Sequence, residues 1–154
     1  IVQDLDLYDY GGWQARFYYA EHECFGDEVL DDLMSVGYGG GDFERIAELL
    51  YRCRRNTGFT YTNNRERRSV VFIAPTDSAS EFNDSYTHES GHLAKHIARE
   101  LGIDPWGEAY QYLAGEIAYQ TFPAAERFLC DHCRSRLTNE GGYPEEKAMI
   151  PGRL

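Results

Sequence analysis

One long helical signal dominates the chain and sets the frame for the rest. It opens at Ser78, where Ser78 and Glu81 form an S-x-x-E capping box. Phe82, Tyr86, Leu93, Ile97 and Leu101 then recur on one stripe, and Gly102 supplies the stop. The spacing predicts a helix over 79–101. Its polar side carries His88-Glu89-Ser90-Gly91-His92, two histidines four apart with a glutamate directly after the first.

The segments around this helix alternate between strand and helix patterns. "GWQARFYYAEHE" is rich in aromatics and reads as the first strand of a sheet. "GDEVLDDLMSVG" sets Val29, Leu30, Leu33 and Met34 at helical spacing and stops at Gly37. Asp42 then caps a helix with Phe43, Ile46, Ala47, Leu50 and Tyr51 on its inner face. "GFTYT" and "RSVVFIAP" read as a hairpin or two strands, the second more apolar and closed by Pro75. After Gly102, Asp104-Pro105 opens a further helix with Trp106, Tyr110, Leu113 and Ile117 facing the core. Pro123 breaks it, and "AAERFLCDHCRSRL" makes the last helix. Strands followed by helices mean an α+β fold with a small mixed sheet. Residues 1–137 form one domain, and 138–154 a loosely held tail.

Composition narrows the partners. A chain of 154 residues supports one core, and a formal charge of -11 argues against nucleic acid. The basic stretches "RCRRNTG" and "RERR" read as solvated edges. No apolar run approaches a membrane span, so the expectation is a soluble domain off the membrane, with the cytoplasm the favoured compartment. The oligomeric state is left open. Four cysteines are too few for a disulfide scaffold. Cys130 and Cys133 in "CDHC", with His132 between them, make half of a structural zinc signature, but no second C-x-x-C completes it. Cys24 and Cys53 stand apart, and all four are expected as unrelated, partly buried thiols. A four-ligand zinc, a disulfide and a redox pair are the alternatives.

The histidine pair carries the chemistry. Residues four apart on a helix differ by about 40° in direction and about 6 Å in height. His88 and His92 therefore point the same way from successive turns and can grip one ion. Catalytic zinc takes three protein ligands and keeps one position for water. Zinc lowers that water's pKa, and Glu89 is placed to take its proton. The plainer reading is an amphipathic helix whose polar side happens to carry two histidines. Glu89 lies nearer the apolar stripe than either histidine, which favours the site. His96 continues the series but stands about 12 Å along the axis from His88 and cannot share its ion. A metzincin pattern is excluded, because Lys95 and Ala98 occupy its glycine and histidine positions. The following helix offers Glu108 and Glu116 as third ligand, with Tyr112 between them.

From Ser69 to about Phe122 the chain resembles the zincin metallopeptidases of the gluzincin type: apolar strand, "THESGHLAKHI", turn, then "GEAYQYLAGEIAYQ". It is also similar to small peptidases carried by phages and prophages of gut bacteria, which set an acidic residue shortly before a "YL-x-G" segment. Here that residue is Glu108, ahead of Tyr112 to Gly115. The resemblance implies a zincin-like fold, one catalytic Zn2+ held by His88, His92 and Glu108, and a peptide or protein substrate. Hydrolysis would proceed by attack of zinc-bound water with Glu89 as general base. Glu116 is the alternative ligand. Where gluzincins place an acidic residue four beyond the ligand glutamate, this chain has Tyr112, or Gln120 if Glu116 binds. The family also implies that the strand before the motif helix walls the cleft, making 70–74 either that wall or a buried central strand. Tyr112, Tyr119 and His132 are the candidates for stabilising the oxyanion. The rival expectation is a non-catalytic zinc-binding structural or interaction module on the same scaffold. A cysteine-based redox protein is a more distant one.

Overall fold

A computed structural model of the chain describes residues 1–139. The tail expected over 138–154 lies, beyond residue 139, outside the described residues. The order is β1 (Val2–Leu7), β2 (Trp13–Tyr19), α1 (Gly26–Ser35), α2 (Phe43–Tyr51), β3 (Gly58–Asn63), β4 (Arg68–Ile73), α3 (Ala79–Leu101), α4 (Glu108–Ala125) and α5 (Asp131–Asn139). This is a mixed α+β fold. Among the described residues one sheet runs β1-β2-β4-β3, with β2 and β4 parallel and both outer pairings antiparallel.

A parallel pair requires a long crossover, and here residues 20–67 supply it with α1, α2 and β3. Both faces of the sheet are covered as a result. Trp13, Phe17, Tyr19, Val71 and Ile73 face Phe82, Leu93 and Ile97 of α3 and Leu113 and Ile117 of α4. Tyr18, Val70 and Phe72 face Val29, Leu30 and Leu33 of α1 and Leu50 of α2. Each fully buried aliphatic or aromatic side chain contributes roughly 1.5–3 kcal/mol, so every layer is fastened by several such groups.

The helix of the sequence reading appears with its expected bounds. The Ser78 hydroxyl accepts from the Glu81 N–H and donates to the Glu81 carboxylate, while Gly102 takes a left-handed φ of 67°. Other expectations are corrected. The strand at Trp13–Tyr19 is the second, because Leu5 and Leu7 alternate with Asp4 and Asp6 to make β1 before it. Val70 to Ala74 is a buried internal run flanked by β2 and β3, so it is not the wall of an open cleft. Trp106 is 92% exposed, since α4 starts only at Glu108 and Trp106 sits in a turn capped by Asp104. Pro123 lies inside α4, close enough to its end that only the final turn loses a hydrogen bond. The last helix starts at Asp131, later than expected. Among the described residues no helix is long and apolar enough to cross a membrane.

Cys24 and Cys53 are not separate thiols. They form a disulfide that ties the entrance of α1 to the exit of α2. A bridge of this span restricts the unfolded chain by about 2–4 kcal/mol. Replacing both by serine is expected to lower the urea midpoint by that equivalent, and reductant should bring the parent protein to the same midpoint. An unchanged midpoint in the double variant would show that the bridge contributes nothing to the fold.

Candidate active site

The path of α3 over β4 and β3 decides which motif residues are dry. Leu93 and Ile97 enter the core, and Glu89 follows the same side one turn earlier, at 5% exposure. His88 is exposed, while His92 and His96 are half-buried. A carboxyl group buried without a partner is costly. Glu89 has one in Thr60 of β3, whose hydroxyl donates to Oε2 at 2.7 Å and lies 3.0 Å from the Glu89 carbonyl oxygen.

Gly58 makes room for this carboxyl. A Cβ at that position would stand 2.7 Å from the Phe72 carbonyl oxygen and 2.9 Å from Glu89 Cγ. Neither distance is tolerable, so the strand needs glycine where α3 comes closest. Period-two alternation puts Gly58, Thr60 and Thr62 on one face of β3, and that face meets α3.

The two motif histidines converge. Their Nε2 atoms are 3.0 Å apart, with ring planes at 77°. Two ring nitrogens so close either share one proton or turn both lone pairs toward a common cation. His96 belongs to a different network. Its Nδ1 lies 2.9 Å from the Thr62 hydroxyl, which meets Ser69 at 2.9 Å, and Ser69 accepts from the Trp13 indole at 3.0 Å. Burial first, then the charges of His92, Arg99 and Lys95, holds His96 below the usual imidazole value. It supports the seam and is not gathered with the other two into a ligand set.

A cleft of about 270 Å³ opens between the start of β3 and α3. His88 and Glu89 both line it, with Thr57, Gly58, Asp84 and Ser85. Asp84 stands one turn before His88, a placement the sequence reading passed over. β3, like β1, is an outer strand of the sheet, so its far edge is unpaired in the sheet order.

Several expected partners are elsewhere. Glu108 is exposed at the first residue of α4, and the structure does not bring it to the histidines. Glu116 accepts from the Gln120 amide one turn along α4. The reason is lateral: α4 packs toward β1, while the histidine side of α3 looks toward β3. Tyr112, Tyr119 and His132 do not line the cleft, and both tyrosines are well exposed on α4. Among the described residues, only Cys130, His132 and Cys133 group three metal-ligand atoms within 4.8 Å of one another. That group could hold a metal ion. Hydrogen bonds from the Cys133 N–H and thiol, and then from the His132 N–H, pull the Cys130 thiol below its ordinary value.

No protein-family model, curated protein or solved structure matches the chain.

The two glycines near the motif provide a contrast. Gly58→Ala is expected to force β3 and α3 apart and cost about 1–3 kcal/mol. Gly91→Ala, where a Cβ meets nothing within 4 Å, should be neutral or gain up to about 1 kcal/mol of helix propensity. Urea denaturation of both variants checks the pair; equal stabilities would contradict the close approach at Gly58.

Proposed function

We propose that the chain is a zinc-dependent peptidase whose reaction is centred on His88, Glu89 and His92. The observation that supports this most is the convergence of the His88 and His92 imidazoles beside a buried carboxyl, Glu89, that lines one cleft together with His88. His88 and His92 fit two places of a zinc ligand set, whereas Glu108 does not fit the third. When bound, the metal supplies Lewis acidity toward the scissile carbonyl and its water.

The residues of the chain then have separate tasks. The imidazoles of His88 and His92 would hold the ion between them. Glu89 accepts a proton from water at its carboxylate and later returns one to the leaving amine. Thr60 fixes the rotamer of Glu89 through its hydrogen bond to Oε2. The outer edge of β3 gives an extended peptide backbone groups to pair with. The Cys24–Cys53 bridge favours an oxidising compartment over the cytoplasm for this reaction.

A second reading is a zinc-binding interaction module without turnover. It is favoured by the absence, among the described residues, of a third ligand beside the histidines. Glu89→Gln separates the two. The peptidase reading expects hydrolysis of a mixed peptide pool by the zinc-loaded protein, and a fall of about 10²–10⁴-fold in the variant with zinc content unchanged. His88→Ala with His92→Ala should release that zinc. If the parent protein cleaves nothing but still loses zinc in the double histidine variant, the interaction module is the correct reading. Zinc content indifferent to both histidines would remove both readings.

A further inference from the structure

A second group of ligands lies outside the histidine cleft, at the start of α5. Cys130 precedes the helix, and its carbonyl accepts the Arg134 N–H at 2.9 Å, the first turn's hydrogen bond. His132 and Cys133 fall within that turn. Cys130, His132 and Cys133 each turn one ligand atom toward the others, all within 4.8 Å. Cys130 and His132 are exposed, so an ion can reach them from solvent.

The earlier alternative of a four-ligand zinc drawing on Cys24 and Cys53 is closed, because those two sulfurs are bonded to each other. Cys130 and Cys133 stand as thiols in the same molecule. Asp131 is also committed, since its carboxylate accepts from the Ala79 N–H at the first residue of α3. What is left is a compact set of two sulfurs and one imidazole nitrogen.

We propose that Cys130, Cys133 and His132 form a second metal site, for a thiophilic d-block ion of the zinc type, with its fourth position open to solvent. Thiolate and imidazole donors select Zn2+ or Co2+ over Mg2+ and Ca2+, which require oxygen. The site does not depend on the hydrolytic reading and shares no residue with it. Its position gives it a mechanical role. Asp131 caps α3, and Arg134 holds Thr76 through both the carbonyl at 2.6 Å and the hydroxyl at 3.1 Å. An ion gripping the first turn of α5 therefore steadies the entrance of the helix that carries His88 and Glu89.

Cobalt(II) titration of the whole chain tests this, because only a thiolate ligand adds a sulfur-to-cobalt charge-transfer band in the near ultraviolet. We expect that band to saturate at about one equivalent. It should persist in His88→Ala/His92→Ala and vanish in Cys130→Ser/Cys133→Ser. His132→Ala should keep a band but weaken binding by more than the ~10–100-fold that loss of a supporting partner costs. On the unaltered protein, zinc should slow alkylation of Cys130 and Cys133 as read by mass spectrometry. No band at saturating cobalt, or a band that survives in the double serine variant, would overturn the site. Alkylation rates indifferent to zinc would overturn it as well.

Discussion

Everything in this fold follows from the parallel pairing of β2 with β4. Two parallel neighbours cannot be joined by a tight turn, so the chain must leave the sheet and come back. Its return path lays α1 and α2 on one face and brings β3 in as the outer strand beside β4. With both faces of the central pair buried, the second face needs its own cover, and α3 with α4 provides it. The position of β3 is therefore a consequence of the crossover. So is the candidate site, which exists only where α3 overlaps that outer strand.

The overlap is a narrow seam, and polar groups fill it. Glu89 takes the place where a strand side chain would ordinarily sit, because Gly58 offers none. Thr60 gives the buried carboxyl a donor, and two residues along the Thr62 hydroxyl pairs with His96 Nδ1. A seam of this kind holds a carboxyl rigidly beside two wetter imidazoles. Glu108 and Glu116 of α4 stay apart from this seam. The apolar stripe of α4, Leu113 and Ile117, is drawn toward the core under β1 and α3, on the flank of α3 away from the histidines.

The parts of the fold encoded locally were legible in the sequence. The capping box, the apolar period and Gly102 lie within α3 itself, and its bounds came out as read. The convergence of His88 and His92 needs only helical geometry, and it too is present. Long-range choices were less accessible. Whether Glu108 meets the histidines depends on which flank of α3 receives α4, and a helical wheel identifies a face without naming its neighbour. Trp106 reads as a core residue only if the helix begins at Pro105, whereas its first residue is Glu108. Gly58 and Thr60 showed a period-two face, but nothing local said that α3 would lie on it. The bridge between Cys24 and Cys53 joins residues 29 apart with no pattern between them.

That bridge has a consequence for the order in which the protein can assemble. Before β4 can find β2, the unfolded chain must close a loop spanning residues 20–67. Once Cys24 and Cys53 are joined, the shortest covalent route between the strands runs only through 20–24 and 53–67. Closure entropy falls by about 0.6 kcal/mol for each halving of the loop. The oxidised chain thus begins its search with its most distant strands already leashed, and the slow step of a parallel sheet becomes a shorter one. The bridge at α1 and α2 in this way shortens the loop that must close before the opposite face of the sheet, and the cleft on it, can form.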